Sequence, residues 1–413
     1  MLRRSLKALA LALLVAACAG AQDPLNRPPV VSAGPDQTVS APASTVRLAG
    51  EARDPDGDTL ELAWSQTDGP GAAVFSDPAD ATTTVSLSAV GDYTLNFAAT
   101  DGRESVGDDV LLSVTDVQNE GVGSWEELPG PAEARQEVSY VQLGGLFYLV
   151  GGSTANEVYD PVARTWTQLE PLPADLDHIQ GVALGGVIYY LGGCKGGRLS
   201  QASSTVYSYD PASDTFSEGA PMPRPRCAGG VAVYQDKIYY AGGLSGGDAQ
   251  TWFDIYDPAA NTWAELPDLP RPRDHAHATV LHGALYSIGG RDAAINATNN
   301  AIDVFDFAAQ SWTTLRATLP TERGGFASAV VGDEILIIGG EGGGNSYAEV
   351  ETFRPDTETW RTLAPMPTPR HGIQAAICNG GVYIAAGGIR QGVGPSAFHE
   401  VFYPAEKTAC TPP

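Results

Sequence analysis

A glycine pair that closes a short apolar run recurs six times in this chain, at residues 151–152, 192–193, 242–243, 289–290, 339–340 and 387–388. In the leading copy, Leu146–Trp166, the pair Gly151-Gly152 is followed by Tyr159-Asp160-Pro161 and then Trp166. Two aromatic residues seven apart follow five of the pairs: Tyr159/Trp166, Tyr209/Phe216, Tyr256/Trp263, Phe305/Trp312 and Phe353/Trp360. A period of 41–50 residues with four short apolar runs per period suits one four-stranded blade of a β-propeller. Such a unit cannot bury its apolar face alone, so the copies must stack, and closing the stack into a ring leaves no open edge.

The two ends of the repeat region decide the blade number. Trp125 starts a fourth-strand segment with no first three strands before it. The last copy has Arg370, Gly387-Gly388 and Phe402, but Ala409 stands where its tryptophan is due. Six glycine pairs match six fourth-strand aromatics, at 125, 166, 216, 263, 312 and 360, once the N-terminal strand completes the last blade. The expectation is an all-β fold, a six-bladed propeller over residues 124–413 closed by that outer strand. Across Ser124–Pro404 the glycine pair, the Tyr-Asp-Pro turn and the tryptophan resemble the kelch repeat family. These motif residues read as scaffold: the glycines let strands crowd where blades converge, and the tryptophan fills the wedge between blades.

Ahead of the propeller, residues 28–117 read as a separate sandwich of alternating strands punctuated by turns such as Asp54-Pro55-Asp56-Gly57-Asp58. Trp64 lies mid-strand, and Gly91-Asp92-Tyr93 opens a later strand as a tyrosine corner requires. With Asn26-Arg27-Pro28-Pro29-Val30, Ala33-Gly34-Pro35-Asp36-Gln37 and Thr100-Asp101, the segment resembles a PKD domain, an Ig-like sandwich common on cell-surface proteins. Asp54, Asp56, Asp58 and Asp109 offer carboxylates to Ca²⁺, although aspartates in such turns more often cap them. No other cofactor is expected. Residues 118–123 form a polar linker.

Residues 1–18 carry a basic start, Arg3, Arg4 and Lys7, then the short apolar stretch Ala8–Ala17, and read as an export signal. The run Val15-Ala16-Ala17-Cys18 resembles the lipobox of bacterial lipoproteins, in which the cysteine is acylated; cleavage near Ala17 or Ala21 as an ordinary signal peptide is the alternative. Residues 19–27 then act as a tether, and the protein is placed in the bacterial cell envelope, held by lipid and not spanning. Setting Cys18 aside leaves Cys194, Cys227, Cys378 and Cys410, which outside the cytoplasm allow three pairings. Propeller topology favours Cys194–Cys227 with Cys378–Cys410. The net charge of −25, from 49 acidic against 24 basic residues, argues against nucleic acid as a partner.

Counting back 16 residues from each glycine pair, 17 in the last blade, gives Arg135, Leu176, Arg226, Arg273, Arg323 and Arg370. Each position lies where an inter-blade loop enters the innermost strand, near the channel mouth. The loops after the glycine pairs add Arg291, Arg390, Lys195 and Glu341 on the same face. Guanidinium forks suit carboxylates and phosphates, so the ring Arg135, Arg226, Arg273, Arg323 and Arg370, with Arg291, Arg390 and His275, forms the candidate ligand site. The competing reading is that each arginine pairs with an acid or caps carbonyls within the scaffold.

His178 and His275 stand two residues after the ring position and His371 one after it. Three histidines near one mouth can hold a transition metal, yet strand-start histidines satisfied by backbone carbonyls are commoner, so no metal site is assigned. Kelch-type copper oxidases add a seventh blade and a cysteine–tyrosine cofactor, for which this chain has no alignable cluster. There is no P-loop, nucleophile elbow or HExxH motif. The resulting expectation is a monomeric, lipid-anchored recognition protein, binding a glycan or protein ligand through the channel-mouth loops, with catalysis left open. The alternative is a carbohydrate enzyme resembling the six-bladed kelch sialic-acid mutarotases.

Overall fold

The computed structural model describes residues 26–413 apart from 41–45, 88, 90, 116, 117, 120, 121, 406, 408, 409 and 411–413. Cys18 and the export signal lie outside the described residues. Among the described residues the chain is all β.

The N-terminal unit packs a four-stranded sheet, Gln37–Ser40, Ser105–Thr115, Gly91–Thr100 and Glu61–Asp68, over a three-stranded one, Val46–Ala49, Thr82–Leu87 and Ala73–Phe75. Alternation along Gly91–Thr100 buries Tyr93, Leu95, Phe97 and Ala99 and leaves the intervening residues partly exposed. Trp64 lies 4.7 Å from Phe97 in this core. The Tyr93 hydroxyl accepts from the Ala89 amide at 2.9 Å and donates to its carbonyl at 3.0 Å, which is the tyrosine corner. The acidic turn residues serve structure: Asp54 accepts from the amides of Asp56 and Asp58, Asp56 binds Arg27, and Asp109 accepts from Asn96.

Six four-stranded blades follow. Blade I is Ser139–Leu143, Leu146–Val150, Glu157–Asp160 and Thr165–Gln168. Blades II to V begin at Gln180, Gly230, His277 and Ala327, and blade VI at Ala375. Blade VI takes its outer strand from the other end of the propeller: Ser124–Glu127 pairs antiparallel with His399–Tyr403, Trp125 opposite Phe402. The linker is less free than expected, because Gln118–Asn119 pairs in parallel with Arg361 and Thr362 of blade V. Two disulfides are present, Cys194–Cys227 joining blades II and III and Cys378–Cys410 fastening the C-terminal segment to blade VI.

The repeated residues have distinct mechanical roles. In each blade one glycine of the pair donates its amide to the backbone carbonyl at the arginine position of the next blade. The bonds run from Gly152 to Leu176, Gly193 to Arg226, Gly243 to Arg273, Gly290 to Arg323, Gly340 to Arg370 and, across the closure, Gly387 to Arg135, at 2.7–3.1 Å. A Cβ on Gly192 would lie 2.1 Å from the Arg226 carbonyl, and one on Gly242 2.4 Å from that of Arg273, so no side chain fits these contacts. On the outside, the indoles of Trp166, Trp263 and Trp312 donate to carbonyls of the preceding blade, Pro129, Ala220 and Pro267.

At the closure seam, His399 of blade VI donates from Nδ1 to the Pro129 carbonyl at 2.9 Å and accepts at Nε2 from the Tyr140 hydroxyl of blade I at 3.0 Å. Burial pushes this imidazole down to about 3. The folded state therefore holds it neutral, while in the unfolded chain it titrates near 6.5. Its contribution is complete above pH 6.5 and is lost as pH falls toward 3, at a limiting slope of about 1.4 kcal/mol per pH unit. In denaturant titrations from pH 7 to pH 4, His399→Phe should show a shallower loss of stability than the natural chain. Parallel curves would remove the seam histidine as a cause of acid sensitivity.

Candidate functional site

The inner strands are joined by a closed circle of backbone hydrogen bonds. Two residues past each arginine position, one residue per blade adopts a left-handed conformation: Glu137 (φ 56°), His178 (51°), Ala228 (55°), His275 (52°), Gly325 (65°) and Gly372 (62°). The amide of each donates to the carbonyl of its counterpart in the preceding blade: His178 to Glu137, Ala228 to His178, His275 to Ala228, Gly325 to His275 and Gly372 to Gly325, at 2.7–3.0 Å. The Val138 amide closes the circle onto the Gly372 carbonyl at 3.2 Å. Above this constriction a funnel of about 540 Å³ opens between the loops, lined by Asp177, His178, Arg291, Glu341, Ile295 and Gly392 among others. Below it lies a cavity of about 30 Å³, room for one or two waters.

The constriction carries the chemistry. The carboxylate of Glu137 faces three imidazoles: Nε2 of His178 at 3.3 Å, of His371 at 3.4 Å and of His275 at 3.9 Å. Each of two imidazoles is held from behind by the residue that precedes it, His178 Nδ1 by Asp177 at 2.8 Å and His275 Nδ1 by Asp274. The Arg291 guanidinium binds Asp274 at 3.0 Å, Glu341 at 2.5 Å and His275 Nε2 at 2.9 Å, and Glu341 also accepts from the Gly392 amide. Burial alone would raise Glu137, but the charges of His178, His275, His371 and Arg291 outweigh it and hold the carboxyl at about 2. Burial opposes protonation of His178, yet Glu137 and Asp177 prevail and raise it; His275 is lowered by burial and by Arg291. Glu137, His178 and His275 place one ligand atom each within 4.8 Å of one another. A second such group, Asp177, His178 and Cys194, has its thiol committed to the disulfide.

The arginine ring sits beneath this surface. Arg135, Arg226, Arg273, Arg323 and Arg370 are at most 1% exposed. Each is paired with an acid on the third strand of its own blade: Glu157, Asp254, Asp303, Glu351 and Glu400. Further Nη donors reach backbone carbonyls, as Arg135 to Ala155 before the third strand and Arg226 to Gly242 and Arg273 to Ser287 and Gly289 where the second strand leaves the blade, while Nε of each arginine has no partner among the described residues. Burial pushes Arg273 down to about 10 against the pull of Asp303. These five cations are thus spent within the scaffold, which corrects the expectation that they meet a ligand. Of the other candidates, Arg291 and His275 are brought together at the constriction, and Arg390 stands exposed on the rim strand Gly388–Arg390.

The histidines are not held by backbone carbonyls as their strand-start positions suggested. Asp177 and Asp274 orient two of them, and His371 packs so closely on Gly388 that a Cβ there would lie 2.2 Å from its ring. Glu137 escaped notice as a site residue although it shares the register of His178 and His275, two past the arginine. That register was the available signal.

A six-bladed propeller with one polar mouth defines the class, and comparison with known proteins supplies the family. Residues 137–340 and 267–388 match the model of the KLHDC2/KLHL20/DRC7 Kelch-repeats domain, and residues 33–114 that of the K319L-like PKD domain. The chain is 33% identical over 313 residues to Kelch-like protein terF of Aspergillus terreus, covering 68% of each chain. It is 27% identical over 267 residues to Kelch-like protein 35 of Mus musculus, 64% of this chain and 37% of the mouse protein's length. Among solved structures, the structure of YjhT superposes with a TM-score of 0.58 at 16% identity, over 66% of this chain and 96% of that one, a likeness of fold. The chain belongs to the kelch-repeat family.

The two kinds of arginine separate by measurement. Removing Arg370 leaves Glu400 buried and unpaired, so Arg370→Ala should lose about 3–5 kcal/mol in chemical denaturation. Arg390→Ala, at the exposed rim, should stay within about 0.5 kcal/mol of the natural chain. Equal losses in both would contradict the buried-pair reading.

Proposed function

We propose that the protein is an exported, lipid-anchored recognition protein whose propeller takes a polar ligand, a glycan or the polar tip of a protein partner, into the funnel above the constriction. The observation that carries this reading is the funnel itself: about 540 Å³, open toward the loops and floored by buried charged groups. That size suits a small ligand or a terminal sugar unit. Its floor brings together the carboxylates of Asp177 and Glu341 and the guanidinium of Arg291, a polar surface of both signs that suits a polyhydroxylated ligand. Exposed Ile295 and part-buried Leu199 add apolar wall.

A second reading, chemistry on a bound sugar, has its own support. Aspartate-backed imidazoles aimed at a carboxylate make a proton-transfer set within one pocket. Screening the full chain against glycan and acidic-peptide arrays, with anomer exchange followed by NMR for any sugar retained, separates the two. Ile295→Trp narrows the funnel from an exposed position, so it should weaken binding at least tenfold while leaving the melting temperature in place. Undiminished binding by that variant would move the ligand out of the funnel.

Export and anchoring rest on Val15-Ala16-Ala17-Cys18 and on the pairing of all four cysteines among the described residues in disulfides, which suits an oxidising compartment. Cys18→Ser should shift the protein from the membrane to the soluble fraction on cell fractionation. A variant that still sediments with membranes would count against the lipid anchor.

A further inference from the structure

We propose that Glu137, His178, His275 and His371 bind one divalent transition-metal ion on the propeller axis at the floor of the funnel, whether or not the ligand taken into the funnel is a sugar. Blades I, II and IV and the loop entering blade VI each contribute one of these side chains. Imidazole and carboxylate ligands bind such ions at about 2.0–2.2 Å, which sets neighbouring ligand atoms about 3–3.5 Å apart in a tetrahedral shell. Glu137 Oε2 stands 3.3 Å from His178 Nε2 and 3.9 Å from His275 Nε2, and these three residues place their ligand atoms within 4.8 Å of one another; His371 Nε2 lies 3.4 Å from the other carboxylate oxygen, Oε1, and joins the shell by a shift of its ring toward the axis.

The surroundings have the features of a metal site. Asp177 and Asp274 accept from Nδ1 of His178 and His275, which fixes the tautomer that leaves Nε2 free to donate its lone pair toward the axis. His371 Nε2 is fully buried, points into the same space and makes no hydrogen bond. A buried ring nitrogen without a hydrogen bond, 3.4 Å from Glu137 and 3.5 Å from Glu341, is the position a cation shared with those carboxylates would fill. Its ring is seated by Gly388 and its Nδ1 lies 3.4 Å from the Ser346 hydroxyl.

Charge points the same way. Four carboxylates, Glu137, Asp177, Asp274 and Glu341, meet a single guanidinium, Arg291, so the cluster carries −3 when its imidazoles are neutral. A divalent ion brings that to −1 and removes most of the cost of burying unpaired charge. Arg291 now donates to His275 Nε2, and on yielding that contact it keeps Asp274 and Glu341. The donor set, imidazole and carboxylate without thiolate, selects zinc, iron, cobalt or nickel over magnesium or calcium. The funnel above supplies the entry path.

The probe is Zn²⁺ added to the metal-stripped full chain. Calorimetric titration should give about one ion per chain, with a rise in melting temperature by mass action. The pair His178→Ala with His371→Ala should lose at least tenfold in affinity together with that thermal shift. Wild-type affinity in the double variant, or no binding beyond weak surface sites in the natural chain, would overturn the proposal. Because the double variant removes buried groups and can fail to fold, a Zn²⁺-soaked crystal of the natural chain gives an independent result. An anomalous peak among the four side chains supports the site; a peak elsewhere, or none, refutes it.

Discussion

The circle of backbone hydrogen bonds at the axis is the interaction on which the rest of the propeller depends. It requires one residue per blade to turn left-handed so that its amide points to the neighbouring blade and its carbonyl to the other. Left-handed backbone costs about 1 kcal/mol or more for a residue other than glycine. Two of the six positions are glycine, but Glu137, His178, Ala228 and His275 bear side chains there. Three of those side chains are titratable and aim at the axis. Strained backbone of this kind persists where the surroundings over-determine it, and here it sets titratable groups face to face. The glycine-pair bonds one layer outward repeat the stitching without side-chain consequences, which is why that position is glycine throughout.

The buried arginines follow from the same geometry. Where the second strand leaves each blade toward its long loop, several carbonyls lose their ladder partners. A guanidinium has five donors in a fixed fork, enough to satisfy two or three of these carbonyls and a carboxylate together. Arg273, for example, reaches Ser287, Gly289 and Ala301 while pairing with Asp303. The acid neutralises the charge, and the pair is retained because the carbonyls require donors. Blade II carries Leu176 at that position and has no acid–arginine pair there, so the device is general but not obligatory.

Much of the architecture was legible in the chain because it rests on residues with a single mechanical use. A glycine pair at fixed period, an aromatic seven past another, and a stray Trp125 ahead of the first repeat lead to six blades and the closing strand. The Tyr93 corner was readable for the same reason. The site was legible only in part. The arginines repeated as faithfully as the scaffold glycines, and that regularity was the sign that they belonged to the scaffold: a binding site on a pseudo-symmetric ring is built where the repeat breaks. Glu137, His178 and His275 break it, since their counterparts are Ala228, Gly325 and Gly372. The partners of Arg291 could not be read from sequence, because Glu341 lies 50 residues away and meets it only across neighbouring blades.

The break in symmetry also gives the mouth two unlike sides. On blade III the matching positions are Cys227, Ala228 and Leu244, packed with Leu199, Ala202 and the Cys194–Cys227 disulfide into an apolar patch. Around the rest of the mouth, from Arg291 on the adjacent blade IV through Glu341 and His371 to Glu137 on blade I, the matching positions are charged or titratable. A uniformly charged ring would attract any counter-ion. A mouth with an apolar sector set among charged ones would instead select by shape, and it suits a proposed ligand that carries both an apolar face and a polar edge. The disulfide fixes the apolar wall between blades II and III, and the Arg291 network fixes the polar one. Both sectors are therefore fixed by the fold itself, so that a ligand bound there would spend little free energy in ordering them.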